Sequence, residues 1–142
     1  RKPFCVNDVP LQQLLLDRRL VHLTLDAIDV PTPPRLTLSR DGGPSVSKEM
    51  SSRLTRDFGM DLTTNLAIHK DVQTLDMNTI SIGWQKMRKP FVEKPVNSED
   101  HNIYIYYKDG GIRKLFRKIG NKSSELFPEE HEIRSEGSYI YE

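Results

Sequence analysis

IYIYYKDGGIRKLFRKI, at residues 103–119, is the stretch that decides the predicted fold. Aromatic and β-branched residues fill 103–107, and a second run of apolar and basic residues fills 113–119. The segment between them, 108–111, consists of Lys, Asp and two Gly residues, a composition that favours a tight turn. Two β-rich runs joined by such a turn predict an antiparallel hairpin.

Further strands are predicted on both sides of this hairpin. Short β-rich runs occupy 35–39, 72–75, 79–82 and 138–142, and a strand framed by prolines occupies 89–95. A turn at 76–78 joins two of these runs into a second hairpin, whereas residues 59–71 show no period and are interpreted as a loop. The sequence therefore predicts a mainly antiparallel sheet.

One amphipathic helix is predicted before the sheet. It begins after the N-cap residue Asp8, and Pro31 ends it by about Asp29. Arg18 falls on the apolar stripe of this helix. We therefore expect its guanidinium to reach solvent or to meet a buried anion, and pairing with Asp17 or a neighbouring acid is the alternative.

The segment after this helix predicts a connector and a second helix. Proline-rich residues 30–34 indicate an extended linker, with a domain boundary near residue 31. A short surface helix is predicted from Ser47 to Phe58, with Ser45 or Ser47 as its N-cap.

Composition narrows the class of protein. The 142 residues are 36% hydrophobic, and no apolar run approaches the roughly 20 residues that span a bilayer, so we expect a soluble chain with one modest core. A net charge of +1 argues against a general nucleic-acid or membrane binder. Cys5 is the single cysteine, which excludes an intrachain disulfide and favours the reducing cytosol; we expect it to be buried. Because the chain opens at Arg1, inside an apparent strand, we interpret it as an internal segment of a longer protein.

Basic residues concentrate between 108 and 122. That stretch holds six of them against a single acid, Asp109; they are Lys108, Arg113, Lys114, Arg117, Lys118 and Lys122. Lys94 and His101 add to the group, separated by the acidic loop 97–100, which we expect to close over a bound nucleotide. The pattern predicts an anion site, and a solvated hairpin face remains the alternative.

Other residues that often bind nucleotides or metal ions show no recognisable motif in this sequence. The sequence has no phosphate-binding glycine loop, and the acids Glu93, Glu99 and Asp100 show no paired arrangement for a metal ion. We expect His22, His69 and His131 to be surface or hydrogen-bonded residues without ligand spacing. Trp84 is expected to pack within its hairpin.

A family resemblance adds to these inferences. KPFVEKPVNSEDHNIYIYY at 89–107, followed by LFRKIG at 115–120, closely resembles the kinase domain of the diphosphoinositol pentakisphosphate kinases. EGSYIYE at 136–142, PFCVND at 3–8 and the triplet Asp17-Arg18-Arg19 are similar to the same family. The stretch from roughly 44 to 86 lies outside the resemblance, and we interpret it as an insertion without an assigned function.

The resemblance implies a fold and a domain organisation. It implies an α+β fold, the N-terminal part of an ATP-grasp fold, with an antiparallel sheet and flanking helices. Residues 1–30 would form the end of a pre-ATP-grasp domain, as a strand plus a helix. Residues 31–142 would form the N-terminal subdomain of the kinase domain, with the insertion at about 44–86.

The resemblance also implies an activity. The family transfers phosphate from ATP, with Mg²⁺, to inositol hexakisphosphate or 5-diphosphoinositol pentakisphosphate. The magnesium ligands are expected outside this segment, so the remainder of the kinase domain is its expected partner and the segment alone is expected to be inactive.

The resemblance implies site residues as well. Those for ATP are Arg18, Lys94, His101, Arg117 and Glu142, and those for the inositol polyphosphate are Arg117 and Lys118. Glu142 would begin a hinge whose backbone contacts adenine. Two other functions stay open, an ATP-grasp carboxylate-amine ligase and a module that only binds inositol polyphosphate.

Overall fold

An antiparallel sheet of six strands lies at the centre of the structure, a computed structural model that describes residue 4, residues 6–64 and residues 66–142. In spatial order its strands are β1 (Leu36–Leu38), β9 (Tyr139–Tyr141), β5 (Phe91–Pro95), β6 (Ile103–Tyr106), β7 (Ile112–Ile119) and β8 (Lys122–Phe127). A second sheet holds β2 (Gln73–Asp76), β3 (Thr79–Ile82) and β4 (Gln85–Arg88), again antiparallel.

Both predicted hairpins are confirmed. In the first, β6 and β7 pair with Ile103 opposite Leu115 and Tyr106 opposite Ile112. In the second, β2 and β3 pair on either side of the turn at 76–78. The predicted strands at 89–95 and 138–142 are β5 and β9, and the run at 35–39 contains β1.

Two strands were not predicted. β4 and β8 each lie at the edge of a sheet, and most of their residues are exposed. Such strands are defined by pairing with a neighbour rather than by a buried apolar row, so their sequences lack the alternation that indicates a strand.

The main core lies between the two sheets. One face of the large sheet and the small sheet contribute its side chains, which are Leu36, Leu38, Phe91, Tyr106, Ile112, Tyr139, Tyr141, Ile80 and Ile82. The ring of Phe91 lies 5.1 Å from that of Tyr106 and 5.7 Å from that of Tyr141, centroid to centroid. Trp84 is not in this core: it lies in the turn between β3 and β4 and is 86% exposed, so the expectation that it packs in its hairpin was wrong.

The prediction of one long N-terminal helix was wrong. The segment contains α1 (Val9–Gln12), a 3-10 helix (Gln13–Leu16) and α2 (Arg18–Ala27). Asp17 interrupts the helix with an extended backbone, at φ −120° and ψ 115°, and forms a β-bridge with Asn97. Its carboxylate accepts a hydrogen bond from the backbone N–H of Arg19 and so caps α2. The contact with Asn97 joins residues far apart in sequence and cannot be read from the helical period.

The helix ends agree with the sequence. Asp8 caps α1 by accepting a hydrogen bond from the N–H of Leu11, and α2 ends at Ala27, close to the predicted end. The helix α3 (Lys48–Phe58) is confirmed with Ser47 rather than Ser45 as N-cap, because the Ser47 hydroxyl accepts from the N–H of Met50.

α3 packs on the N-terminal helices in a second, smaller core. Its members are Leu14, Leu20, Met50, Leu54 and Met60. Residues 59–71 form neither helix nor strand where the structure describes them. The expectations for Cys5 and for most of the opening strand lie outside the described residues. Across the described ranges, the helices are too short or too polar to cross a bilayer. The α+β architecture with an antiparallel sheet is confirmed.

Candidate anion-binding face

One face of the large sheet packs in the core, and the opposite face carries apolar side chains together with three cations, Lys94, Arg113 and Arg117. Because side chains alternate along a strand, the register of β9, β5, β6 and β7 places one set of residues on the side opposite the core. We call this set the cationic face; it consists of Glu142, Ile140, Val92, Lys94, Ile103, Ile105, Arg113 and Leu115, to which we add Arg117, because its side chain contacts His101 beyond the last residue of β7 that pairs with β6. Val92, Ile103, Ile105 and Leu115 are half-buried, so the face has an apolar centre with charged groups around it.

Lys94 and Glu142 form an ion pair on this face. The Lys94 ammonium donates a hydrogen bond to Oε2 of Glu142. The other carboxylate oxygen, Oε1, lies 2.9 Å from Nε2 of His22, without the alignment of a hydrogen bond. The Glu142 side chain is 8% exposed and the Lys94 side chain 31%, so the ammonium faces solvent and the carboxylate lies behind it.

The backbone of Glu142 is committed to the sheet. Its N–H donates to the carbonyl of Val92 at 3.0 Å, and its carbonyl accepts from the N–H of Val92 at 2.8 Å. The N–H is therefore engaged within the sheet, and a contact of this backbone with adenine stays a prediction. Glu142 therefore contributes its side chain to the cationic face, and His22, which the sequence analysis left without a role, contacts it from α2.

Arg18 binds main-chain carbonyls. Its Nη1 donates to the carbonyls of Pro95 and Asn97, the second at 2.8 Å, and its Nη2 donates to those of Ser98 and Asp100 at 3.3 and 3.4 Å. The guanidinium is half-buried and binds carbonyl oxygens rather than a carboxylate, and its contact with an anion stays a prediction. Partial burial lowers the pKa of Arg18, while Asp100 and Glu142 act in the opposite direction.

Pairing with a neighbouring acid was the alternative for Arg18. The structure shows that pairing at Arg19 instead. Arg19 is 3% exposed and lies 2.6 Å from Asp17 and 2.7 Å from Asp41. This network fixes the start of α2 to the end of β1. Arg18 and Arg19 thus point in different directions, and adjacent arginines serve two separate contacts.

The acidic loop is held at both ends. We call residues 97–102 the tethered loop. Arg18 binds the carbonyls at its first end, and the Nη2 atom of Arg134 donates to the carbonyl of Asn102 at its second, at 3.1 Å. Within the loop, the Asp100 carboxylate accepts from the N–H of Asn102 at 2.9 Å. These bonds define one loop conformation, and closure over a nucleotide stays a prediction.

His101, on the tethered loop, contacts Arg117. Its Nε2 lies 2.9 Å from Nη2 of Arg117, which can only donate, so Nε2 is the acceptor. Both residues are exposed. Lys118 follows on the same exposed stretch, where the pairing of β7 with β8 shifts register between Leu115 and Ile119. Strict alternation is lost there.

Two of the remaining basic residues of 108–122, Lys114 and Arg113, lie on opposite faces of the large sheet. Lys114 lies over the ring of Tyr104, with Nζ 5.7 Å from its centroid, on the core side. Arg113 lies on the cationic face and donates to Tyr107 and Ser124 at 3.3 and 3.4 Å. The sequence cluster is therefore only partly a spatial cluster.

A buried ion pair supports the site from the core side. Glu93, which is fully buried, accepts hydrogen bonds from the Arg134 guanidinium and from the Tyr106 hydroxyl, the second at 3.2 Å. The Arg134 guanidinium carbon lies 4.2 Å from the centroid of Tyr104 and 4.1 Å from that of Tyr139. Burial, and then the charge of Glu93, raise the pKa of Tyr106 well above its ordinary value. Sequence reasoning missed Arg134, for which no local pattern exists.

Neither a metal centre nor a deep pocket coincides with this face. Within residues 4, 6–64 and 66–142, no group of three or more His, Cys, Asp or Glu residues is arranged to hold a metal ion. A cavity of about 520 Å³ lies beside α2, lined by residues such as Leu23, Asp26, Arg35 and His69. It includes none of the six predicted site residues. Apart from Ile140 and Glu142, which are buried, the cationic face is accessible to solvent.

Comparison with known proteins gives matches along the whole of this chain. No family model matches the chain. An inositol hexakisphosphate and diphosphoinositol-pentakisphosphate kinase of Saccharomyces cerevisiae is 50% identical over 145 residues. The kinases so named from Arabidopsis thaliana and Homo sapiens (kinase 2) are 39% and 40% identical over the same length. Each match covers the whole chain, residues 44–86 included, but only 12%, 12% and 10% of the respective kinases. The chain therefore belongs to the family of inositol hexakisphosphate and diphosphoinositol-pentakisphosphate kinases, of which it matches a short segment.

Proposed function

We propose that the cationic face is part of the nucleotide site of an ATP-dependent kinase that phosphorylates inositol hexakisphosphate or diphosphoinositol pentakisphosphate. The observation that carries this proposal is the position of Lys94, the His101–Arg117 pair and an apolar centre on one open face. The names of the related kinases supply the reaction and the substrate class. The scaffold would be the N-terminal subdomain of an ATP-grasp fold.

The chemistry of phosphoryl transfer fits such a face. Charge on the transferred group is spread over its oxygens, and catalysis depends on positioned cations more than on covalent steps. Lys94 and Arg117 lie two strands apart, about 10 Å across the sheet by ordinary strand spacing, and their long side chains allow both cations to reach one triphosphate chain. Lys94 would bind phosphate as a compact charge and Arg117 as a planar fork.

The other predicted residues take supporting places in this proposal. His101 would contact ATP phosphates beside Arg117. The four donors on Nη1 and Nη2 of Arg18 are occupied, so Arg18 would act mainly by shaping the tethered loop, with its Nε–H left for a phosphate. Lys118, exposed and without an ion pair among the described residues, would join Arg117 in binding the inositol polyphosphate.

Magnesium is the metal ion expected for this reaction. The described residues do not provide a set of ligands for it, so no step of the reaction is assigned to a metal on this segment. If the reaction uses the ion, its ligands lie elsewhere in the parent protein.

The test is phosphate transfer by the parent protein. Wild type is incubated with ATP, Mg²⁺ and inositol hexakisphosphate, beside Lys94→Ala, Arg117→Ala and the control Lys86→Ala, which removes an exposed lysine of the small sheet. We expect a diphosphoinositol product from wild type and Lys86→Ala, and a loss of at least tenfold in the other two, as is usual when a transition-state cation is removed.

The alternative function is a module that only binds inositol polyphosphate, which needs no metal site on this segment. If wild type binds inositol hexakisphosphate but forms no product, and ATP does not compete, the kinase proposal is wrong and the protein is a binding module. Product formation that survives both Ala substitutions would instead show that the site lies elsewhere.

A further inference from the structure

α2 presents two side chains to the cationic face, one helical turn apart. Arg18 and His22 are spaced i and i+4, so they share a side of the helix. Arg18 binds the tethered loop, and His22 contacts Glu142. Helix α2 thus contacts two separate parts of the same site, the tethered loop and Glu142. The role of His22 is not explained by the proposed function.

The contact of His22 with Glu142 is enclosed. The His22 side chain is 13% exposed and that of Glu142 is 8% exposed. Nδ1 of His22 is buried and has no hydrogen-bond partner in the described part of the chain. A proton on Nδ1 would therefore be buried without an acceptor, which is costly. This geometry favours the neutral imidazole with its proton on Nε2, the atom that faces the carboxylate.

Glu142 divides its carboxylate between two elements. Oε1 faces His22 on α2, and Oε2 accepts from Lys94 on β5. The main chain of Glu142 is fixed by both of its bonds to Val92, so only the side-chain torsions are left to restrain. His22 restrains them from one side through the 2.9 Å contact of Nε2 with Oε1, a close polar contact that is not aligned as a hydrogen bond, and that keeps Oε2 in place for the ammonium.

We propose that His22 is a positioning residue of the nucleotide site: by holding the Glu142 carboxylate, it fixes the Lys94 ammonium where a ligand phosphate binds. A free lysine side chain samples many rotamers, and ordering it costs free energy that a ligand must otherwise offset. Prior ordering by Glu142 and His22 lowers that cost. The inference rests on the proposed function for its ligand, ATP, but the ordering of Lys94 is a property of the protein alone.

Kinetic constants of the parent protein test this role. We expect His22→Ala to raise KM for ATP about tenfold, the effect of one lost polar contact to a charged group, with a smaller change in kcat. His22→Gln retains an amide N–H near the position of Nε2, and we expect it to recover most of the affinity. His22→Leu fills the space without a donor and should resemble His22→Ala. His131→Ala, at an exposed histidine, is the control.

A second measurement separates this inference from the proposed function. The rate at which an amine-reactive reagent labels Lys94, followed by mass spectrometry, should rise several-fold in His22→Leu relative to wild type and the control. If wild type has no kinase activity but labelling rises, the proposed function fails and the positioning role stands. If labelling and KM are both unchanged in His22→Leu, the positioning role is wrong whatever the activity.

Discussion

Asn78 and Asp109 exchange two hydrogen bonds across the two sheets. The Asn78 amide donates to the Asp109 carboxylate at 3.0 Å, and its oxygen accepts from the backbone N–H of Asp109 at 2.8 Å. The main-chain carbonyl of Asn78 also accepts a hydrogen bond from the N–H of Lys89 at 2.7 Å. The turn of the β2–β3 hairpin is thereby joined to the turn of the β6–β7 hairpin, which lies directly before the cationic strand β7.

Asn78→Ala should loosen this junction. Both side-chain bonds are lost, and each is worth about 1 kcal/mol at a partly exposed position. We expect amide hydrogen exchange to accelerate at 76–80 and 107–112 in the parent protein, with little change at 50–58 in α3. Asn78→Asp keeps one acceptor but places two carboxylates together, and it should be at least as disruptive. Unchanged exchange at both turns would show that the sheets hold together without this pair.

Substitution of Arg134 is expected to lower the stability of the protein more than any other single substitution proposed for this chain. Arg134→Met leaves the carboxylate of Glu93 buried without its charged partner, and breaking a buried pair in this way costs about 3 kcal/mol or more. The double variant Glu93→Gln/Arg134→Met removes the stranded charge, and its thermal midpoint should recover part of the loss. Midpoints are measured on the parent protein. If the double variant is no better than the single one, packing on Tyr104 and Tyr139 matters more than the charge.

Arg18 should not tolerate lysine. A guanidinium directs Nη1 and Nη2 to carbonyls at two ends of a fork, whereas an ammonium presents three donors from a single atom. We expect Arg18→Lys to speed amide exchange across the tethered loop nearly as much as Arg18→Ala, and to raise KM for ATP several-fold. Arg40→Lys, at an arginine that binds the single carbonyl of Gly137 at 2.9 Å, is the matched substitution and should leave the loop unchanged.

The pattern of local and distant contacts explains what the sequence could predict. The β6–β7 hairpin depends on neighbouring residues and was predicted, as was the cap at Ser47. The interruption at Asp17 depends on Asn97, and the ion pair of Lys94 with Glu142 depends on the pairing of β5 with β9. His22 had a detectable signal, its position one turn after Arg18. Arg134 had none, because only the folded chain brings it to Glu93.

His22 also predicts a pH dependence of stability. Burial, and then the charge of Arg35, lower the pKa of His22 below its ordinary value of 6.5; Lys94 acts in the same direction, and Glu142 and Asp26 oppose it. The unfolded chain therefore binds a proton more readily than the folded one, so stability falls as the pH drops below about 6.5 and levels off below the folded pKa. We expect the difference in thermal midpoint between wild type and His22→Gln to change over that range. A constant difference would contradict the neutral, buried histidine.

The central claim, that the cationic face binds nucleotide phosphates, is tested most directly by titrating ATP onto the parent protein in the presence of Mg²⁺. Wild type, Arg117→Ala and Lys86→Ala are compared at one salt concentration, because screening by salt weakens the binding of ATP to all three proteins. We predict that Arg117→Ala raises the Kd for ATP by about tenfold, the usual loss of a charged hydrogen bond, while Lys86→Ala leaves it unchanged. Equal affinity in all three proteins would place the nucleotide away from this face and contradict the account.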